Sequence, residues 1–133
     1  MKTDLQTLKV MVVDDEEDVR SLLGMMLKKR NFSVIEAGSG QEALEKIAQD
    51  KPDLIILDVH MPGLDGFQVH RKLHSDEATK HIPVLFCTAL RIPDVIEGIK
   101  YPNDDYIQKP FDVVALQEKI ANIARIRNDY RSN

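Results

Sequence analysis

The chain has 133 residues, 43% hydrophobic and 30% charged, with a formal net charge of −4. That length suits one domain with one proper core, and the composition is that of an ordinary globular protein. The acidic balance argues against direct nucleic-acid binding, which recruits clustered Lys and Arg, and the single cysteine, Cys87, excludes an internal disulfide and points to a reducing, cytoplasmic setting.

The opening Met1-Lys2-Thr3-Asp4-Leu5 lacks a signal peptide's apolar stretch, and no later run approaches the ~20 residues of a membrane span. Lys9 to Asp14 reads as a first strand. Val19, Leu22, Leu23, Met26 and Leu27 then form a helical stripe that predicts one buried face. Lys28-Lys29-Arg30 closes that helix, where cations suit the dipole better than they mark a binding patch. A second strand is expected over Ser33 to Ala37. Ser39 then caps a second helix with the stripe Ala43, Leu44, Ile47 and Ala48.

Leu54 to Asp58 reads as the third strand, Asp65 to Ser75 as the third helix and Pro83 to Cys87 as the fourth strand. The helical pattern from Arg91 to Lys100 is weak, because Pro93 and Gly98 interrupt it and Tyr101-Pro102-Asn103 ends it. Asp105 to Ile107 forms a fifth strand. A last helix from Phe111 to Asn128 turns Leu116, Ile120 and Ile123 inward. Most strands are near-continuous apolar runs, as parallel strands buried on both faces require. The alternation predicts an α/β fold: a five-stranded parallel sheet, flavodoxin-like, of order 2-1-3-4-5, with helices on both faces.

Ligands of such sheets bind outside the carboxyl ends of the strands. Asp14, Asp15, Asp58, Thr88 and Lys109 each fall just past an apolar run, so acids, a hydroxyl and an ammonium converge on one mouth. Two carboxylates about 4 Å apart repel by roughly 4 kcal/mol at an effective dielectric near 20, and a divalent cation relieves this. Mg²⁺ suits the site because it takes one or two carboxylates, waters and a phosphate oxygen. No Ser or Cys beside a base supports acyl transfer.

These residues lie in four stretches: Val12-Val13-Asp14-Asp15-Glu16, the run from Leu57 to Gly66, Thr88-Ala89, and the run from Asp104 to Phe111. In that order the chain resembles a response-regulator receiver domain of two-component signalling over nearly its full length. The resemblance implies a single receiver domain over 1–133, with a core of about 8–127. Asp58 would be the phosphoacceptor, taking a phosphoryl group from a histidine kinase or a histidine phosphotransfer protein. Asp15 would ligate Mg²⁺ directly, with Mn²⁺ as an alternative, and Asp14 mainly through water. Asp58 and the backbone carbonyl of His60 would complete the protein's share of the coordination.

Thr88 and Lys109 would bind the phosphoryl oxygens, with Thr88 and Tyr106 forming the switch. His60 and Leu90 occupy positions that tune hydrolysis in this family, and an apolar Leu90 implies a long-lived phosphoryl group. A cis Lys109–Pro110 peptide is expected by family precedent. The output would pass through the surface of the fourth helix, fifth strand and fifth helix to a partner or output domain, or through a phosphorylation-dependent homodimer. Ile123 to Tyr130 is compatible with a linker, so stand-alone and tethered forms both stay open. Pro102-Asn103 replaces the usual Gly-Ala, and the segment from Thr88 to Lys109 is one residue short; both departures bear on the dimer mode.

The remaining signals have plain readings. Glu17 and Asp18 suit a helix N-terminus, and Gly63 and Gly66 shape the loop after Asp58. His70 and His74 stand at metal-binding spacing without a third ligand, so a partly buried, hydrogen-bonded His70 is expected instead. His81 reads as a solvated loop residue and Cys87 as buried core. Two rivals to a switch remain: a module that binds partners without phosphorylation, and a Mg²⁺-dependent aspartyl phosphatase. The phosphatase wants Asp-x-Asp on its first strand, and Asp58-Val59-His60 lacks the second acid.

Overall fold

A computed structural model describes residues 8–89, 105–109 and 113–132. Its strands are β1 (Lys9–Val13), β2 (Ser33–Ala37), β3 (Leu54–Leu57), β4 (Val84–Thr88) and β5 (Asp105–Gln108). They form one parallel sheet in the order β2-β1-β3-β4-β5, as expected. The helices described are α1 (Glu17–Lys29), α2 (Gly40–Gln49), α3 (Gly66–His74) and α4 (Val113–Ser132), the last being the fifth helical pattern of the sequence. The weak pattern from Arg91 to Lys100 and the Pro102-Asn103 departure lie outside the described residues.

Strand alternation sends the apolar runs to two opposite cores. Met11, Val13, Ile55, Leu57 and Phe86 meet Ala43 and Ile47 of α2 and Val69 and Leu73 of α3. Val10, Val12, Ile56, Leu85 and Cys87 meet Leu23 and Leu27 of α1 and Leu116, Ile120 and Ile123 of α4. Each fully buried side chain of this size contributes roughly 1.5–3 kcal/mol, so the sandwich rests on continuous burial of the central strands.

Helix starts follow the local chemistry. Ser39 accepts a hydrogen bond from the Glu42 amide at 3.1 Å, which caps α2 as expected. Asp65 caps α3 in a reciprocal box: the Gln68 amide donates to Asp65 at 2.8 Å, and the Asp65 amide donates to the Gln68 side chain at 2.9 Å. His70 is buried, with its ring 5.2 Å from Phe86 and 4.5 Å from His74. His81 is exposed and Cys87 is buried, and burial pushes the Cys87 thiol up to about 12.

Each expected stripe loses one member. Leu22 is 53% exposed, while Leu23 and Leu27 are buried and Val19 and Met26 pack partly buried against the second core. The inward face of α1 is centred on Leu23 and Leu27, with Val19 and Met26 on one side and Arg20 and Gly24 on the other. The observed phase gives Arg20 polar partners at the sheet's carboxyl end and lets α1 approach β2 closely at Gly24. Ala48 is likewise exposed; Gly40, Ala43 and Ile47 carry the buried face of α2.

Candidate functional site

Strand register assembles the site. Val13 pairs with Leu57, so Asp14 and Asp58 leave adjacent strands at the same level. The ladders run one step further: the Asp58 amide donates to the Val13 carbonyl at 3.0 Å, and the Asp14 amide to the Ala37 carbonyl at 3.2 Å. Thr88 is the last residue of β4 rather than the first beyond it, pairing with Gln108. The Lys109 amide then donates to the Thr88 carbonyl at 2.7 Å, which extends the β4–β5 ladder by one bond and holds Lys109 at the sheet end. Buried Asp14, Asp58 and Thr88 therefore line one rim with Lys109.

The charges are unequal. Lys109 Nζ lies 2.7 Å from Asp14 Oδ2 and 3.4 Å from Asp58 Oδ2, so one ammonium faces two buried acids. One ligand oxygen each from Asp14, Asp15 and the Asp58 carboxylate fall within 4.8 Å of one another, with Asp15 exposed at the mouth. Burial pushes Asp58 above the usual carboxylate range; the Lys109 charge opposes this and the Asp14 charge adds to it. The His60 amide donates to Asp58 Oδ1 at 3.3 Å and favours the ionised form. Burial lowers Lys109, but the hydrogen bond to Asp14 and the charges of Asp58 and Asp14 outweigh it and hold the ammonium above its ordinary value. Among the described residues, three carboxylates against one ammonium leave an all-oxygen donor set of negative charge, which fits Mg²⁺ or Mn²⁺.

The loop after Asp58 is shaped by two glycines, as expected. Gly63 sits at φ +77° in the left-handed region. Gly66 opens α3 hard against the site: a Cβ there would stand 2.4 Å from the Asp58 carbonyl oxygen and 2.8 Å from Val59 Cα. Tyr106 is half-buried beside the first core and pairs with Phe86 across β4 and β5. Lys119 Nζ lies 5.6 Å from the Tyr106 ring centre and 3.1 Å from Asp105 Oδ2. His60 is exposed. Leu90 and Pro110, and with them the expected cis peptide, lie outside the described residues.

Sequence reasoning missed Arg20. Its Nη1 donates to the Asp14 backbone carbonyl at 2.7 Å, and its Nε lies 3.6 Å from Glu36 Oε1. The available signal was an arginine at helical spacing with Leu23, Gly24 and Leu27, on the face that packs on the sheet.

The family model described as the response regulator receiver domain matches residues 10–121. The chain is 42% identical over 120 residues to the response regulator PleD of Caulobacter vibrioides, covering 90% of this chain and 26% of that protein. It is 39% identical over 118 residues to the alkaline phosphatase synthesis transcriptional regulatory protein PhoP of Bacillus subtilis, covering 88% of this chain and 48% of that protein. This chain thus spans about a quarter to a half of the curated relatives it matches. Among solved structures, the chemotaxis protein CheY4 of Vibrio cholerae matches at TM-score 0.82 and 28% identity, covering 88% of this chain and 98% of that one. A putative response regulator of Chloroflexus aurantiacus matches at TM-score 0.83 and 33% identity, with 90% and 98% covered.

Proposed function

Since this chain belongs to the response regulator receiver domain family of two-component signalling, we propose that it is a phosphoacceptor switch working through Asp58 and a divalent cation. The observation that carries this reading is the buried Asp58 carboxylate, faced by Lys109 and grouped with Asp14 and Asp15. Asp58 acts as the nucleophile: a carboxylate oxygen attacks phosphorus, the P–N bond of the donor's phosphohistidine breaks, and an aspartyl phosphate forms. Such transfers ask a protein mainly for positioning and charge stabilisation.

Asp14, Asp15, Asp58 and the His60 carbonyl would hold Mg²⁺, or Mn²⁺ in its place, and the bound cation would neutralise charge on the phosphoryl oxygens. Lys109 donates to one phosphoryl oxygen and exchanges its contact with Asp58 for it. Thr88 donates its hydroxyl to another. The phosphoryl group adds roughly −1.5 to −2 charge at a site already short of cations. Drawing Thr88 toward it opens room for Tyr106 to turn inward and alters the β5–α4 surface. A shift from 1:99 to 99:1 requires about 5.5 kcal/mol, which a few charge-assisted hydrogen bonds at roughly 1.5–3 kcal/mol each supply.

The donor is a histidine kinase or histidine phosphotransfer protein, and the receiver of the signal is a partner protein, an attached output domain or a second copy of the chain. The setting is cytoplasmic, where such donors present their phosphohistidine. Turnover is limited to gaining the phosphoryl group and losing it to water, with His60 and Leu90 setting the rate of loss. Intact mass after incubation with acetyl phosphate tests the reading. An adduct of about 80 Da, the mass of one phosphoryl group, is expected with Mg²⁺, and neither with EDTA nor in Asp58→Asn. No adduct in a protein that binds Mg²⁺ would favour a module that works without phosphorylation.

A further inference from the structure

Arg20 lies outside the pocket, on the sheet-facing side of α1, yet two of its nitrogens are committed. Nη1 donates to the Asp14 carbonyl at 2.7 Å, and Nε faces the Glu36 carboxylate at 3.6 Å. The backbone that carries Glu36 is held within β2, and Lys46 Nζ donates to its carbonyl at 2.6 Å. Both side chains pass close to glycines: a Cβ on Gly38 would stand 3.1 Å from Arg20 Nη1, and one on Gly24 would stand 3.3 Å from Glu36 Oε2.

The carbonyl that Arg20 grips belongs to the peptide joining Asp14 to Asp15. Two other bonds hold that unit: the Asp14 amide donates to Ala37, and the Glu16 amide donates to Asp14 Oδ1 at 3.0 Å. Those two fix Asp14 from before and after. Neither holds the plane of the Asp14–Asp15 peptide, which sets the direction in which exposed Asp15 leaves the backbone. Among the described residues, only the carbonyl contact does that.

We propose that Arg20, anchored by Glu36, is a positioning residue for the cation site, orienting Asp15 through the Asp14 carbonyl. The inference rests on the cation site proposed above. It has a sign that separates it from mere charge. Deleting a nearby cation should tighten Mg²⁺ binding at an acidic site if Arg20 is only a bystander. Deleting the group that orients a ligand should weaken it, and outer partners of metal ligands typically cost about 10–100-fold.

The test is calorimetric titration of the purified chain with Mn²⁺ and Mg²⁺ at fixed ionic strength, with melting in EDTA measured alongside. Arg20→Ala is expected to bind Mn²⁺ at least about tenfold more weakly than wild type, although the site has lost a positive charge. Arg20→Lys keeps a donor for the carbonyl and is expected to recover much of the loss. If the alanine variant does not fold, Arg20→Met preserves the packing and carries the same expectation. Unchanged or tighter binding in the alanine or methionine variant overturns the positioning role and leaves the cation site standing. A wild-type chain that binds neither cation overturns the site itself, and the inference with it.

Discussion

Lys109 and Asp14, 95 residues apart in sequence, meet at 2.7 Å and form the pocket's internal ion pair. The same ammonium reaches Asp58 at 3.4 Å, so a divalent cation would compete with it for the carboxylates and a phosphoryl oxygen would compete with the carboxylates for it. Without a divalent ion, Lys109 is the counter-charge that makes two buried carboxylates tolerable.

Lys109→Met should therefore be unstable in EDTA. Removing one partner of a buried pair costs about 3–5 kcal/mol, because the remaining charge is left uncompensated. Mg²⁺ should restore more stability to this variant than to wild type, and a cation at a hundredfold its Kd adds about 2.7 kcal/mol. Urea unfolding with and without Mg²⁺ reads both effects. Equal stability of the two proteins in EDTA would remove Lys109 from the role of counter-ion.

Asp58→Asn should have the opposite effect on the metal-free fold. Burial raises the Asp58 pKa in the folded state, so the folded chain binds this proton more tightly than the unfolded chain. Stability from this group therefore falls as pH rises from the unfolded carboxylate value through the raised folded one, and the cost is complete above it. In EDTA at neutral pH, Asp58→Asn should melt higher than wild type, and the gap should close as pH falls below the ordinary carboxylate range. Melting curves across pH check the sign; a gap that widens toward acid would contradict it.

The two loop glycines should separate cleanly. Gly66→Ala drives a Cβ to 2.4 Å from the Asp58 carbonyl oxygen, so the nucleophile's own backbone must move. Overpacking of this kind costs about 1–3 kcal/mol, and acetyl phosphate labelling should slow as well. Gly63→Ala meets nothing within 4 Å among the described residues and suffers its φ of +77°. That strain costs about 1 kcal/mol and should leave labelling intact. Unfolding midpoints and labelling rates on the same samples distinguish them.

Cys87 should be inert in the folded protein. Its thiol is buried and pushed up to about 12, so almost no thiolate forms at pH 8. A thiol reagent such as DTNB should react only on unfolding, with a rate that follows urea concentration. Fast labelling under native conditions would show that the β4 core opens locally.

The strands were legible because parallel strands buried on both faces leave unbroken apolar runs. The first polar residue after such a run must mark the sheet's carboxyl end, which located Asp14 and Asp58 directly. Helix phase was less legible. Of the stripe Val19, Leu22, Leu23, Met26 and Leu27, four members meet the core and Leu22 is left half exposed. The inward face is rotated toward Arg20 and Gly24, which apolar content alone does not mark.

By itself, then, the sequence determined the sheet, its order and the five polar groups at its end, since hydrophobic periodicity and chain polarity are local properties of the chain. Tertiary structure alone decided which of those groups touch, how near Gly66 stands to Asp58, and that Arg20 faces inward to hold Asp14. Those outcomes depend on what a distant segment presents: Lys109 follows a strand that runs two residues past the level where β1 ends, yet its ammonium meets Asp14, and Arg20 meets Glu36 from β2.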